Sequence, residues 1–218
     1  MQKKYNYDYE IGVDEAGRGP LIGRVYAGAV IWGPDTKNEA DEIKVIDSKK
    51  LSAKKRGIAL KWIKENVYAW GVGYAEPSEI DSINILEATR VAMERAINDL
   101  KSKVTDKMRL ADTLNHLIID GCYWEKKFPD YKVKSIVQGD AKFLPIAAAS
   151  IIAKEYHDMH IIELCKTNPE LNERYSLESN MGYGTKKHME GLAKYGPSVY
   201  HRKSFKPCTK PCNTNIII

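Results

Sequence analysis

The sequence predicts an α/β fold built on a sheet of mixed direction. Three observations carry that prediction. Two strand-like stretches stand first, with a glycine-rich break between them. Helical and strand patterns then alternate through the middle of the chain. A long helical pattern, Pro145 to Cys165, follows the last strand.

In chain order, Tyr5, Tyr7, Tyr9, Ile11 and Val13 alternate with polar residues or glycine, which predicts the first strand. Gly17, Gly19 and Pro20 break it, and Val25 to Trp32 reads as its hairpin partner, ended by Gly33-Pro34. Ser52 is the expected N-cap of a helix through Glu65, and Val67 to Tyr74 reads as a strand. Ile85, Ala88, Ala92, Met93, Ala96, Ile97 and Leu100 recur at helical spacing behind a capping Asn84. Leu117 to Asp120 predicts a short buried strand stopped by Gly121, and Tyr131, Val133, Ser135 and Val137 alternate again. Beyond Asn168-Pro169 the chain reads as loop-rich, with one short helix from Lys187 to Tyr195 closed by Gly196-Pro197. The tail from Lys206 reads as a loosely held extension. Trp62, Trp70 and Met93 are expected in the core. No internal repeat is visible.

Composition sets bounds. The chain has 218 residues, of which 43% are apolar, enough for one α/β domain with an appendage. Its net charge of +5 permits a polyanionic partner without demanding one. Four cysteines, with no Cys-x-x-Cys pair, favour free thiols in a reducing compartment. Zinc at Cys208 and Cys212 lacks two further ligands in the sequence nearby. No secretory leader and no apolar run of membrane-spanning length is seen. A soluble cytoplasmic monomer with no membrane partner is the expectation.

Carboxylates carry the chemistry. Asp14 and Glu15 follow the first strand, and alternation puts Asp14 on the Gly12 face. Asp120 ends the apolar run Leu117-Ile118-Ile119, where an unpaired charge is costly. Asp140 stands between the last strand and the long helix, whose N-terminus favours negative charge. Strand ends are where sheets of this class build their sites. Gathered together, four carboxylates repel one another, and hard divalent ions relieve that repulsion. Two such ions roughly 4 Å apart clamp the attacking and leaving oxygens of a phosphodiester. Spacing alone favours isolated acids serving as caps or solvated edges.

The run Asp14-Glu15-Ala16-Gly17-Arg18-Gly19-Pro20 adds a second signal. Its glycines let backbone amides approach a phosphate or a 2′-hydroxyl, and Arg18 can fork onto phosphate. A plain glycine turn is the alternative. Ser48-Lys49-Lys50 reads equally as a phosphate contact or a solvated turn, as does the basic cluster His201-Arg202-Lys203-Ser204. Tyr183, between Gly182 and Gly184, can stack on a sugar or base, or stand as an exposed loop tyrosine. His157 and His160 share a helix face without a third ligand and are assigned a surface role. His188 is expected to help order the Tyr183 loop.

In seven segments the chain resembles the type 2 ribonucleases H, and specifically ribonuclease HII. They are IGVDEAGRGPLIG at 11–23, DSKKLS at 47–52, EIDSINILEAT at 79–89, LIIDG at 117–121, GDAKFLPIAAASIIAK at 139–154, GYGTKKH at 182–188 and GPSVYHRKSF at 196–205. They keep the family's order and span nearly the whole chain, and the DEAGRGP run is highly specific.

The resemblance implies an RNase H-like fold, a mixed five-stranded sheet flanked by helices with a small helical C-terminal region. Residues 1–168 would form the catalytic core, and 169–218 a substrate-binding region and tail. It implies Asp14, Glu15, Asp120 and Asp140 as catalytic residues holding two Mg²⁺ or Mn²⁺ ions. Gly17, Arg18 and Gly19 match the motif that senses 2′-hydroxyls, and Tyr183 matches a tyrosine that stacks on the following deoxyribose. Ser48, Lys49 and Arg202 complete the expected substrate-binding set. The implied substrates are RNA–DNA hybrid and duplex DNA containing a ribonucleotide, cut on its 5′ side. Type 3 enzymes carry an additional N-terminal domain, and the early first strand disfavours that class.

The sequence departs from the family pattern in four places. Gly184 replaces the usual proline, His157 stands where arginine is common, Cys122 where asparagine is frequent, and Lys101 to Asn115 is longer and more charged. These bear on the substrate loop and leave the four acids untouched. A non-catalytic nucleic-acid-binding subunit on the same fold is the alternative function, and the presence of all four acids argues against it. A DNA-cutting nuclease or integrase is the third reading, and the Gly-Arg-Gly segment argues against that.

Overall fold

The computed structural model describes residues 1–38, 45–105 and 112–209. Its centre is a five-stranded mixed sheet in the spatial order β3-β2-β1-β4-β5. The strands are β1 (Ile11–Ala16), β2 (Val25–Ile31), β3 (Ala69–Ala75), β4 (His116–Asp120) and β5 (Lys132–Ile136). The first three pair antiparallel, whereas β4 joins β1 in parallel and β5 joins β4 in parallel. The predicted fold class therefore holds.

Two long helices sandwich the sheet. Helix α2 (Pro77–Lys103) covers one face, where Ile11, Val13, Val25, Ala27 and Ala29 pack with Ala92, Met93, Ala96 and Ile97. Helix α3 (Leu144–Thr167) covers the other, joined by α1 (Ala53–Asn66), whose Ala59, Leu60 and Ile63 pack with Ala147, Ala148 and Ile151. Met93 is fully buried, and Trp62 and Trp70 are half-buried against this second cluster. The near end of α3 touches the sheet backbone. A Cβ on Gly12 would lie 2.4 Å from the Pro145 carbonyl carbon, and one on Gly28 would lie 2.3 Å from the Ala149 oxygen. Small residues on both sides thus seat the helix start directly on β1 and β2.

A third apolar cluster joins the C-terminal elements to α3. Helices α4 (Pro169–Tyr175), α5 (Leu177–Asn180) and α6 (Lys186–Tyr195) contribute Leu171, Tyr175, Leu177 and Leu192, which meet Leu21, Ile22, Ile161 and Cys165.

Several expectations change. The tyrosine alternation does not make a strand, because the Glu10 carboxylate accepts the amides of Tyr5 and Asn6 and Tyr9 takes a positive φ of 66°. That local bonding folds residues 5–9 into turns, and β1 starts at Ile11. The strand then runs on through Asp14 and Glu15 to Ala16, past the expected stop. The loop expected after Pro169 holds α4 and α5, because proline occupies the first turn of α4, where no amide bond is lost. Asn84 has φ 68° inside α2, and its Oδ1 accepts from Leu86 and Glu87 N–H, so it caps the predicted segment after a kink. The start of the tail is held, with Cys208 buried; Cys212 and the rest of the tail lie outside the described residues, as do residues 106–111 of the charged stretch. Among the described residues no helix is long and apolar enough to cross a membrane.

Candidate active site

Register places the first two acids. Gly12 pairs with Ile118 and Val13 with Ile119 across the parallel β1–β4 ladder. Two residues beyond Gly12 and Ile118 stand Asp14 and Asp120, level with each other on the same sheet face. Asp140 sits in a short 3-10 turn, Gly139–Ala141, just before α3 on that face. The turn is tied to β4 by the Gly139 N–H, which donates to Asp120 Oδ1 at 2.7 Å. The three aspartates are thus brought together at one end of the sheet, with Glu15 beside them.

A cavity of about 270 Å³ opens there, lined by Asp14, Glu15, Asp120, the Gly17–Gly19 loop, Ser48, Lys49, Ser150, Lys154 and Tyr183. Asp14 is held well above the usual carboxylate range, first by burial and then by Glu15, Asp120 and Asp140. Burial also raises Glu15, against the pull of Arg18. Burial and Asp120 raise Asp140. Lys49 is desolvated yet held above its ordinary value by Asp140, Asp14, Asp47 and Asp120. These shifts record anionic groups crowded together with too little positive charge.

The four acids have other partners. Asp14 Oδ1 accepts the Glu15 N–H at 2.7 Å, Glu15 meets Arg18 at 3.1 Å, and Asp140 meets Lys49 at 3.7 Å. Among the described residues no three acidic, imidazole or thiol groups are already drawn into a coordination shell. The donor set nevertheless fits a hard divalent cation. It offers carboxylate oxygens alone, and a cation would supply the charge whose shortage raises these acids.

The recognition residues divide. Arg18 is half-exposed at the cleft mouth, and the Lys49 side chain is 82% exposed. Ser48 is buried, with its hydroxyl 2.7 Å from that of Ser150 on α3. Tyr183 packs its ring on Gly19, where a Cβ would come within 3.3 Å. His188 is buried, and its Nδ1 meets the Tyr183 carbonyl at 3.0 Å.

Arg202 is not where a phosphate contact would stand. It has 0% exposure, and it donates to the carbonyls of Gly17 at 2.6 Å, Arg18 at 3.0 Å, Gly23 at 2.9 Å and Arg24 at 3.0 Å. It holds the Gly-Arg-Gly loop from behind. His157 is likewise fully buried, not on the surface, with Nδ1 3.0 Å from Asp158 and its ring against Gly17. Lys154, which sequence reasoning passed over, lines the cleft and pairs with Asp158. Its helical spacing from Ser150 was the available signal.

Comparison with known proteins shows the family and the fold. The family model described as Ribonuclease HII matches residues 11–208. The ribonuclease HII of Polynucleobacter asymbioticus is 44% identical over 204 residues, covering 93% of this chain and 95% of the relative. Among solved structures, ribonuclease H2 from Pyrococcus horikoshii OT3 superposes with a TM-score of 0.69 at 25% identity, covering 91% of this chain and 94% of the other. Bst-RNase HIII, solved in complex with Mn²⁺, shares the fold with a TM-score of 0.59 at 18% identity, covering 84% of this chain and 69% of its own. Matched from its first strand to its last described turn, the chain belongs to the ribonuclease HII family of hydrolytic endoribonucleases.

Proposed function

We propose that the protein hydrolyses the RNA strand of RNA–DNA hybrids and cuts duplex DNA on the 5′ side of an embedded ribonucleotide, leaving 5′-phosphate and 3′-hydroxyl ends. The observation that supports this most is the level placement of Asp14 and Asp120 beside the Gly17–Gly19 loop in one cleft.

Asp14 and Asp120 would be the central ligands of two Mg²⁺ or Mn²⁺ ions, with Glu15 and Asp140 completing the set. When bound, these ions would activate water and stabilise the leaving oxygen. The chain's own groups do the rest. Amides of the Gly17–Gly19 loop are offered to the 2′-hydroxyl, the group that distinguishes RNA from DNA. Tyr183, 42% exposed over Gly19, presents a ring to the neighbouring sugar. Lys49 and Lys154 offset phosphate charge at the cleft. Residues 169–209 act as the substrate-binding region by carrying Tyr183.

Cleavage of a DNA duplex holding one ribonucleotide, mapped to the nucleotide, tests the reading. A metal-dependent cut 5′ to the ribonucleotide is expected, with all-DNA duplex left intact. Cleavage of all-DNA duplex, or binding without turnover, would reject it.

A further inference from the structure

Two buried histidines stand behind Tyr183, and the mechanism proposed above uses neither. His188 lies on α6 and His201 in the turn that follows, with 0% and 1% exposure. Their Nε2 atoms face each other at 3.0 Å. The outer partners fix which ring donates. The Ser198 N–H meets His201 Nδ1 at 2.9 Å, and the Ser198 hydroxyl reaches the same atom at 2.8 Å. A backbone amide only donates, so His201 carries its proton on Nε2. At the far end His188 Nδ1 faces the Tyr183 carbonyl, which only accepts, so this ring is protonated on Nδ1. His188 Nε2 is then the acceptor His201 requires. The bonds run one way, from Ser198 through His201 and His188 to Tyr183. A second proton on either ring would set two donors face to face. Burial keeps both rings neutral, and with its neighbour His188 pushes His201 down to about 3.

The destination of the relay matters. The Tyr183 carbonyl also accepts the Thr185 N–H at 2.8 Å, and Gly182 accepts the Leu21 N–H at 2.8 Å. The Tyr183 peptide is therefore pinned between α6 and the segment that follows the Gly17–Gly19 loop. Two apolar side chains would fill the same space without desolvating two imidazoles, so packing alone does not account for the pair.

We propose that His188 and His201 are positioning residues whose relay fixes the Tyr183 peptide, and through it holds the phenol ring over Gly19 in the cleft wall. The proposal deepens the reading of Tyr183 as a sugar-stacking residue and rests on it.

Four enzymes test it on a duplex with a single ribonucleotide: wild type, Tyr183→Ala, His188→Gln and the double variant. Glutamine keeps a polar atom toward His201 but none toward Tyr183. His188→Gln is expected to lower kcat/KM roughly fivefold to tenfold, the worth of about one buried hydrogen bond, mainly through KM. In the Tyr183→Ala background it should change nothing further. His188→Asn, which restores a donor near the Nδ1 position, should lie closer to wild type. An effect of His188→Gln that multiplies with Tyr183→Ala, or no effect at all, overturns the relay. If Tyr183→Ala alone matches wild type, the stacking role itself falls, and the relay's purpose with it. Imidazole ¹⁵N spectra of the wild-type protein at neutral pH need no variant to fold. They should show His188 protonated on Nδ1 and His201 on Nε2, and either opposite tautomer overturns the proposal.

Discussion

Replacing Arg202 with methionine should destabilise the protein and loosen the Gly17–Gly19 loop. The guanidinium reaches no solvent, and two of its four bonds, to Gly17 and Gly23, are fully buried. Stranding those two carbonyls costs roughly 1.5–3 kcal/mol each, and the half-buried bonds to Arg18 and Arg24 add about 0.5–1 kcal/mol each. Removing a buried charge gives some of this back. Burial pushes Arg202 well below its ordinary value, to about 10, a shift equivalent to roughly 3 kcal/mol. The expected net loss is about 1–5 kcal/mol. Urea denaturation in the presence of chelator measures it, and Arg202→Lys should fall in between. Cleavage of the single-ribonucleotide duplex should drop in the folded variant, because the carbonyls of Gly17 and Arg18 are released. A midpoint equivalent to within about 0.5 kcal/mol of wild type, with unchanged cleavage, would show that the loop holds itself and that this account of Arg202 is wrong.

Other outcomes follow from the same structure. Asp14→Asn should lower turnover at least ~1,000-fold and abolish the rise in Tm that Mn²⁺ gives the wild type, read by thermal denaturation with and without metal. In metal-free protein the same variant should be more stable than wild type. Asp14 is raised in the folded state, so its contribution is present at acid pH and lost as pH rises, and the gain should be larger at pH 8 than at pH 5. His160 runs the other way: burial, with Arg24 and His157, pushes it down to about 4. The stability tied to it is full above pH 6.5 and lost as pH falls toward 4, so His160→Gln should gain up to about 2 kcal/mol on wild type between pH 7 and pH 5 in urea titrations. Gly12→Ala drives a methyl into the Pro145 backbone at 2.4 Å and should cost about 3 kcal/mol or prevent folding, measured by the same titrations.

The acids and the sheet were legible because strand ends, alternation and glycine breaks are local signals. Asp14 stands on the Gly12 face as alternation requires, and Asn84 caps as its side chain allows. Other features depended on side-chain contacts or helix starts that hydrophobic periodicity does not report. The tyrosine alternation at 5–9 imitates a strand, and only the Glu10 carboxylate reaching back to two amides reveals a turn. Pro169 reads as a terminator unless a helix is known to begin there. Arg202 looks like a phosphate ligand in a basic cluster, while its four acceptors lie near residue 20. His157 looks exposed until Gly17 is found against its ring. For Arg202 and His157 the deciding contact spans a separation that periodicity does not sense.

The parallel pairing of β1 with β4 has a consequence for how the enzyme tolerates change. The gap between Asp14 and Asp120 is a rung length, fixed by peptide hydrogen bonding rather than by the side chains that occupy the rungs. A slip of one residue would not widen that gap gradually; it would turn one carboxylate away to the opposite surface. The spacing of these two carboxylates is therefore digital, and variation in the loops that join these strands can alter what reaches the cleft without shifting it.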